Sequence, residues 1–280
     1  MRGARAYRED WRAQLFAAHL GPAWRPAPDD AVRRRLAGRT ILVTGASSGI
    51  GRATALALGR AGAEVVGLAR RTAELSSLQA ELAALEVSST MITCDLRDPG
   101  AVGSALGQLA GIEVDTVVSN AGLSIHRSVA ASVDRSHDLQ RSTGTNLLGP
   151  AQLITGLLPA MRTRGHGQVI NIGSVSALVP TAGWSAYAAT KAGFDAWLRA
   201  VAAEVRGDGI RVSSIHFPLV LTPMVAAPPR HRWALTADQA AAVVLATLVR
   251  HPRQLCPWWA RIAATTGIWA PQMIEGAPRR

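Results

Sequence analysis

The sequence predicts a doubly wound α/β domain on a seven-stranded parallel sheet, preceded by a helical appendage and closed by a C-terminal lid. Three observations carry that prediction. From Thr40 onward, short β-branched runs alternate with Ala- and Leu-rich stretches of helical length. The runs are near-continuously apolar rather than alternating, as strands buried on both faces are. The first run ends in a glycine-rich turn, "TGASSGIG" at 44–51, which opens directly into a helical stretch.

Residues 1–38 read as the appendage. "YREDWRAQLFAAHL" places Trp11, Leu15 and Leu20 near one helical face, with Phe16 and His19 beside it, and "GPAWRPAPDD" breaks that helix. "AVRRRLAGR" reads as a solvated helix end. Residues 39–280 read as the main domain. "TILVTG" is its first strand, followed by a helix from Gly49. "AEVVGLA" is the second, followed by a helix through Leu85. "TMITCD", "VDTVVSN", "GQVINIG" and "RVSSIHF" continue the series, which places six of the seven strands. A lid is expected over 222–235, where Pro228 and Pro229 disfavour a regular helix. "TADQ" is a capping box, Thr236 with Gln239, opening a helix over 237–250. The apolar tail carries Trp258, Trp259 and Trp269. It reads as core or subunit contact first, and as a lipid-facing or acyl-binding lid second.

Composition bounds the function. With 48% hydrophobic and 18% charged residues, 280 residues can bury a full core. The net charge of +11 invites anionic partners. No Lys/Arg block interleaved with aromatics occurs, so nucleic acid is not expected; most of the Arg surplus reads as compositional bias, and a phosphate-rich cofactor would use a few. Cys94 and Cys256 are the only cysteines, which suits a reducing cytoplasm. No signal peptide and no membrane span are expected. His126, His137, His166 and His216 have no metal-ligand spacing, and no metal is expected.

The turn at 44–51 is the first chemical signal. Its pattern is T-G-x-x-x-G-x-G, with Thr54 where the third Gly of the ordinary dinucleotide fingerprint would stand. Gly45 permits the tight turn, while Gly49 and Gly51 let the backbone approach a pyrophosphate at the helix N-terminus. The second strand ends in "LARR". An Asp or Glu at that point would hold a ribose 2′-hydroxyl; Ala69, Arg70 and Arg71 stand there instead. A guanidinium pairs with a 2′-phosphate bidentately, and Ser47 can add a hydroxyl, so NADP(H) is the expected cofactor.

"YAATK" at 187–191 is the second signal. Among 30 basic residues only Lys191 is a lysine, and Tyr187 is one of two tyrosines. At i and i+4 they share a helix face. A nearby ammonium favours the phenolate and tunes Tyr187 as a general acid. The compact ammonium also suits ribose hydroxyls, where a planar guanidinium fits poorly. Ser174, at the end of the fifth strand, can polarise the same carbonyl oxygen; Ser176 is its competitor.

These residues resemble the short-chain dehydrogenase/reductase family over about Gly38 to Arg250. "TGASSGIG", "NAG" at 120–122, "NLLG" at 146–149, Ser174 and "YAATK" stand in the family's order and spacing. The resemblance implies a Rossmann-like fold and a catalytic tetrad of Asn146, Ser174, Tyr187 and Lys191, with a water in a proton relay. It implies cofactor contacts from Gly45, Ser47, Ser48, Gly49, Ile50 and Gly51, and from Arg70 and Arg71. Asp95 and Leu96 would flank the adenine. Asn120, Ala121 and Gly122 would steady the sheet beside the cofactor, with Tyr187 and Lys191 on the ribose. Pro218, Val220 and Thr222 would meet the nicotinamide end. Family habit implies a homodimer or homotetramer.

One departure narrows the reading. After the sixth strand the chain has "FPLVLTPM", with Leu219 where the family has Gly. That segment is similar to a subgroup containing bacterial fatty acyl-CoA reductases, in which Arg often stands where this chain has Leu221. The expected activity is NADPH-dependent reduction of a bulky, apolar aldehyde, ketone or acyl thioester. Met224, Val225 and Trp233 would line the lid, with Arg230 and Arg232 at its mouth. Peripheral membrane contact fits the tail. The alternative is a non-catalytic NADP(H)-binding scaffold or sensor on the same fold.

Overall fold

The computed structural model describes residues 20–179, 181–225 and 234–269. In chain order the principal elements begin α1 (Asp29–Leu36), β1 (Thr40–Thr44), α2 (Gly49–Arg60), β2 (Glu64–Ala69) and α3 (Thr72–Ala83). They continue β3 (Ser89–Thr93), α4 (Pro99–Leu109), β4 (Thr116–Ser119), α5 (Ser136–Thr143) and α6 (Gly149–Arg164). Next come β5 (Gly167–Ser174), α7 (Ser185–Glu204), β6 (Ile210–Phe217), and the short β7 (Val220–Leu221) and β8 (Leu235–Thr236). α8 (Ala237–Arg250), β9 (Gln254–Leu255) and α9 (Trp258–Trp269) complete the described chain. The helical face expected over Trp11, Leu15, Phe16 and His19 lies outside the described residues. So do Pro228, Pro229, Arg230, Arg232 and Trp233 of the lid.

The sheet has seven strands in the order β3-β2-β1-β4-β5-β6-β9, every pair parallel. The seventh strand is the one the sequence pattern does not reveal. β9 is two residues long and pairs only with Ser214 and Ile215 of β6, too short for a periodic signal.

The longer strands feed two cores. Ile41 and Val43 of β1 point into one apolar cluster and Leu42 into the other; Val65 and Val66 of β2 divide in the same way. A side chain buried like this contributes about 1.5–3 kcal/mol. α2, α3 and α8 cover one face, and α4, α6 and α7 cover the other. The covering helices begin on local signals. Asp98 Oδ1 accepts from Gly100 N at 2.8 Å ahead of Pro99, and Thr236 and Gln239 form the expected box before α8.

The described part of the appendage packs into the domain. Leu20, Trp24, Val32 and Leu36 share the core that contains Phe217 and Val244. Trp24 meets Phe217 edge-on at 5.5 Å. Arg250, at the end of α8, donates to the carbonyls of Arg25 at 2.5 Å and Pro26 at 2.9 Å. "AVRRRLAGR" is thus half solvated, with its apolar positions buried. Strand order reverses between β1 and β4, and an open parallel sheet offers its ligand crevice at that switch point, outside the carboxyl ends of the strands. No helix among the described residues is long and apolar enough to cross a membrane.

Candidate active site

At the switch point the chain turns so tightly that side chains are excluded. Gly45 and Gly49 adopt positive φ, 68° and 55°. A Cβ on Gly51 would lie 2.3 Å from Gly45 O and 2.4 Å from Asn120 Nδ2. Ser48, the residue before α2, makes no side-chain cap bond, and the first turn of α2 carries no acid. Its orphan N–H groups therefore face the crevice uncapped, which suits a pyrophosphate. Thr44 ties the turn to β4: its hydroxyl accepts from Asn120 N and Ala121 N, each at 3.0 Å, and its carbonyl accepts from Asn120 Nδ2 at 2.9 Å. That bracing is the structural counterpart of "NAG", and Thr44 is a contributor that motif reading did not single out.

The arginine pair divides. Arg71 Nη1 lies 2.9 Å from Glu74 and its Nη2 donates to Ser47 at 3.2 Å. Arg70 makes no ion pair among the described residues, and its charge helps to hold the nearby Asp95 carboxyl down. Asp95 is engaged by Arg97, whose hydrogen bonds chiefly hold the carboxyl below its ordinary range. Leu96 is buried beside it, its carbonyl 2.0 Å from where a Cβ on Gly149 would stand.

On the other side of the switch, β5 and α7 carry Ser174, Tyr187 and Lys191, the residues expected to be catalytic. Ser174 ends β5, and its Oγ accepts from Ser176 N at 3.2 Å, a bond that orients the Ser174 hydroxyl. Burial pushes the Tyr187 phenol up, and the Ser174 hydroxyl beside it pulls the other way. Lys191, one turn on, is 5% exposed, and its Nζ donates to Ile172 O at 2.9 Å. With no carboxylate partner among the described residues, burial brings its ammonium down to about 8. This differs from the sequence expectation: desolvation dominates the phenol, and Ser174 rather than Lys191 opposes it.

Asn146 sits in a single π-helical turn, Gly144–Leu148, between α5 and α6, a distortion that clusters at functional sites. Its Oδ1 accepts from Leu123 N at 2.7 Å, and its Nδ2 donates to Leu123 O at 2.9 Å and Thr190 Oγ1 at 3.0 Å. Gly122 lies between Asn146 and Lys191; a Cβ there would stand 3.5 Å from Asn146 Oδ1 and from Lys191 Nζ. Asn146 thus clamps the irregular segment after "NAG" to the Tyr–Lys helix, with Thr190 a partner that side-chain typing missed.

The chain after β6 closes the same end. Pro218 leads out of the strand, Val220 is buried in the β7–β8 pair, and the Thr222 methyl lies 3.1 Å from where a Cβ on Gly49 would stand. Thr222 therefore lies against the glycine turn, with Ile50 packed below it at the core. His126 packs against Trp184 with ring centroids 4.0 Å apart and planes tilted by 37°, and Trp184 Nε1 donates to Ser124 at 3.2 Å. Trp184 stands three residues before Tyr187; its only sequence signal was a Trp just ahead of "YAATK". Glu113, Asp115 and His166 bring ligand-type atoms within 4.8 Å of one another. Arg39 at 2.8 Å and Arg164 at 3.5 Å already neutralise the two carboxylates, so this is an ion-pair cluster.

A family model described as short chain dehydrogenase matches residues 39–233. The chain is 36% identical over 245 residues to a fatty acyl-CoA reductase of Acinetobacter baylyi, covering 86% of this chain and 83% of that protein. It is 35% identical over 231 residues to a fatty acyl-CoA reductase of Mycobacterium tuberculosis, covering 79% and 77%. A metagenomic short-chain oxidoreductase solved in complex with NADP aligns with a TM-score of 0.69 at 29% identity, over 79% of this chain and 97% of that one. With that match across the turn, the π-helical Asn146 and the Tyr–Lys helix, the chain belongs to the short-chain dehydrogenase/reductase family of nicotinamide-dependent oxidoreductases.

Proposed function

We propose that the protein reduces a bulky, apolar carbonyl compound, a fatty aldehyde or acyl thioester, at the expense of NADPH. The observation that carries the reading is the convergence at one strand end of a half-buried phenol, a serine hydroxyl and a buried ammonium without a counter-ion among the described residues. A charge kept buried without an acid partner is costly to the fold and needs a functional return.

The crevice fits the cofactor. The glycine turn admits backbone approach, the uncapped start of α2 suits the pyrophosphate, and Arg70 is free to meet a 2′-phosphate, with Ser47 and Arg71 beside it. Ser48 and Ile50 continue the turn. Asp95 and Leu96 would flank the adenine, Asn120 to Gly122 the ribose side, and Pro218, Val220 and Thr222 the nicotinamide end. When bound, the nicotinamide supplies the hydride.

The chain's own residues handle the proton. Because burial holds the Tyr187 phenol up, it is protonated at neutral pH and can donate to the carbonyl oxygen. The Ser174 hydroxyl polarises that oxygen and stabilises the phenolate left behind. Lys191, still mostly charged at pH 7, binds ribose hydroxyls and offers the route by which the phenol is reprotonated, and Asn146 holds that route in register. Exposed Leu221 and Met224, on the segment entering the lid, favour an apolar substrate. So do the two relatives whose names say fatty acyl-CoA reductase.

The test is consumption of NADPH at the nicotinamide absorbance with hexadecanal, palmitoyl-coenzyme A and a polycyclic ketone in parallel. Turnover should be fastest with the aldehyde or the thioester. Tight NADPH binding with no turnover of any of the three would make the protein a sensor instead.

A further inference from the structure

α7 runs from the proposed catalytic pair to a second place. Tyr187, Lys191, Asp195 and Arg199 follow one another at four-residue steps and so share a face. Beyond Lys191 that face, with the outer edge of β6, borders a cleft of about 620 Å³, in the range of small-molecule sites. The cleft reaches down to Ile210 and Arg211 at the start of β6. Ser174 stands at the opposite, carboxyl end of the parallel sheet.

Three observations single the cleft out. The first is charge. Arg206, Arg211 and Arg253 line it, are exposed and make no ion pair among the described residues. Arg199 joins them, its Nε 3.4 Å from Asp195. Arg35 and Arg211 crowd His251, whose ring burial and these like charges hold down to about 4. So many uncompensated guanidiniums around one hollow create a field that draws an anion. The second is the opening. β9 pairs with Ser214 and Ile215 alone, so residues 210–213 of β6 have no strand on that side.

The third is a buried acceptor. Asp195 is 4% exposed and its Oδ1 has no hydrogen-bond partner. The nearest ring nitrogen is His216 Nε2, at 3.5 Å. His216 Nδ1 lies 3.3 Å from Ser174 O, which can only accept, so Nδ1 carries the proton. Nε2 is then an acceptor and takes the Gln254 amide at 2.9 Å. Neutral His216 therefore has no proton left for Asp195 Oδ1. A buried acceptor facing only a lone pair wants a donor from outside the chain.

We infer that this cleft binds a phosphate ester carrying a neighbouring hydroxyl, with Arg211, Arg253 and Arg206 on the phosphate and the Asp195 carboxylate turning to accept from the hydroxyl. A sugar phosphate, a nucleotide and a glycerophospholipid headgroup share that chemistry. The inference is independent of the reductase reading.

Titration calorimetry of the full chain in 0.15 M salt with ribose 5-phosphate, inorganic phosphate and ribose tests it, the salt screening diffuse attraction beyond about 8 Å. Ribose 5-phosphate should bind saturably and more tightly than inorganic phosphate, and ribose should not bind. Arg211→Ala with Arg253→Ala should weaken it at least tenfold, whereas Arg70→Ala, in the cofactor crevice, should not. Asp195→Asn should erase the advantage of ribose 5-phosphate over inorganic phosphate. Phosphatidylglycerol vesicles that sediment the wild type but not the double variant would assign the headgroup as the source. Three results would overturn the site: no saturable heat together with no arginine-dependent sedimentation, equal binding by wild type and double variant, or a double variant that only changes oligomeric state on gel filtration while the wild type binds no phosphate ester.

Discussion

Lys191 and Arg199 stand two turns apart on α7, and the molecule treats their charges in opposite ways. Lys191 is 5% exposed and faces only the Ile172 carbonyl. The Arg199 side chain is 72% exposed and lies beside the buried Asp195 carboxylate. The same contrast separates Arg70, free at the cofactor crevice, from Arg71, which is held by Glu74. Lys191 and Arg70, proposed to work on the cofactor and the reacting carbonyl, make no ion pair among the described residues, and a protein carboxylate would compete for the charge a ligand needs, whereas Arg199 and Arg71 each lie beside an acid. A surface pair is worth about 0–1 kcal/mol, whereas an unpartnered buried cation costs several. The two kinds of site should therefore respond to mutation in opposite directions.

Lys191→Met should show the largest response. Activity should fall at least about 10²-fold, the usual worth of positioned proton transfer, while stability rises. The folded value of about 8 lies below the ordinary 10.5, so between those values the unfolded chain binds the extra proton. The cost of burying the ammonium is full below pH 8 and fades as pH rises to 10.5. At pH 7 the variant should gain about 3 kcal/mol, less about 1 kcal/mol for the stranded Ile172 carbonyl. Urea denaturation at pH 7 and pH 9.5 checks this: the gap should shrink at the higher pH, and a constant gap would break the comparison.

Arg70→Asp should come next. Losing charge-assisted bonds to a 2′-phosphate, each about 1.5–3 kcal/mol, should raise KM for NADPH by about 10- to 100-fold. KM for NADH should stay level or fall; equal use of both cofactors by the wild type would remove the case for Arg70. Arg71→Ala sharpens the contrast, because its guanidinium is already committed to Glu74. The shift in KM should stay within about threefold, since a loss of under 1 kcal/mol is less than a factor of 10. Smallest of all, Arg34→Ala, which removes the solvent-exposed pair with Asp30, should leave both Tm and activity at wild-type values.

Some of this was legible in the sequence for a definite reason. Gly51 has no substitute where a Cβ would stand 2.3 Å from a carbonyl, so the turn announces itself in residue types. Tyr187 and Lys191 are local, four residues apart on one helix, and a lone lysine among arginines draws notice. β9 stayed hidden because two residues carry no period, and its pairing is set wholly by β6. The same holds for the clamp of Asn146 on Leu123 and Thr190 and for the contact of His216 with Ser174. Those partners lie 23, 44 and 42 positions away, beyond the reach of any local pattern. The direction of the Tyr187 shift was not legible either, because burial of the phenol depends on packing from several elements at once.

The central claim is that Tyr187 is the proton donor for carbonyl reduction. Its most direct test is Tyr187→Phe, which removes one oxygen from a half-buried side chain, measured two ways on the same preparation. NADPH affinity by quenching of protein fluorescence should remain within about threefold of wild type, while single-turnover reduction of hexadecanal should fall by about 10²- to 10⁴-fold. Retained single-turnover rate with unchanged NADPH affinity would contradict the account.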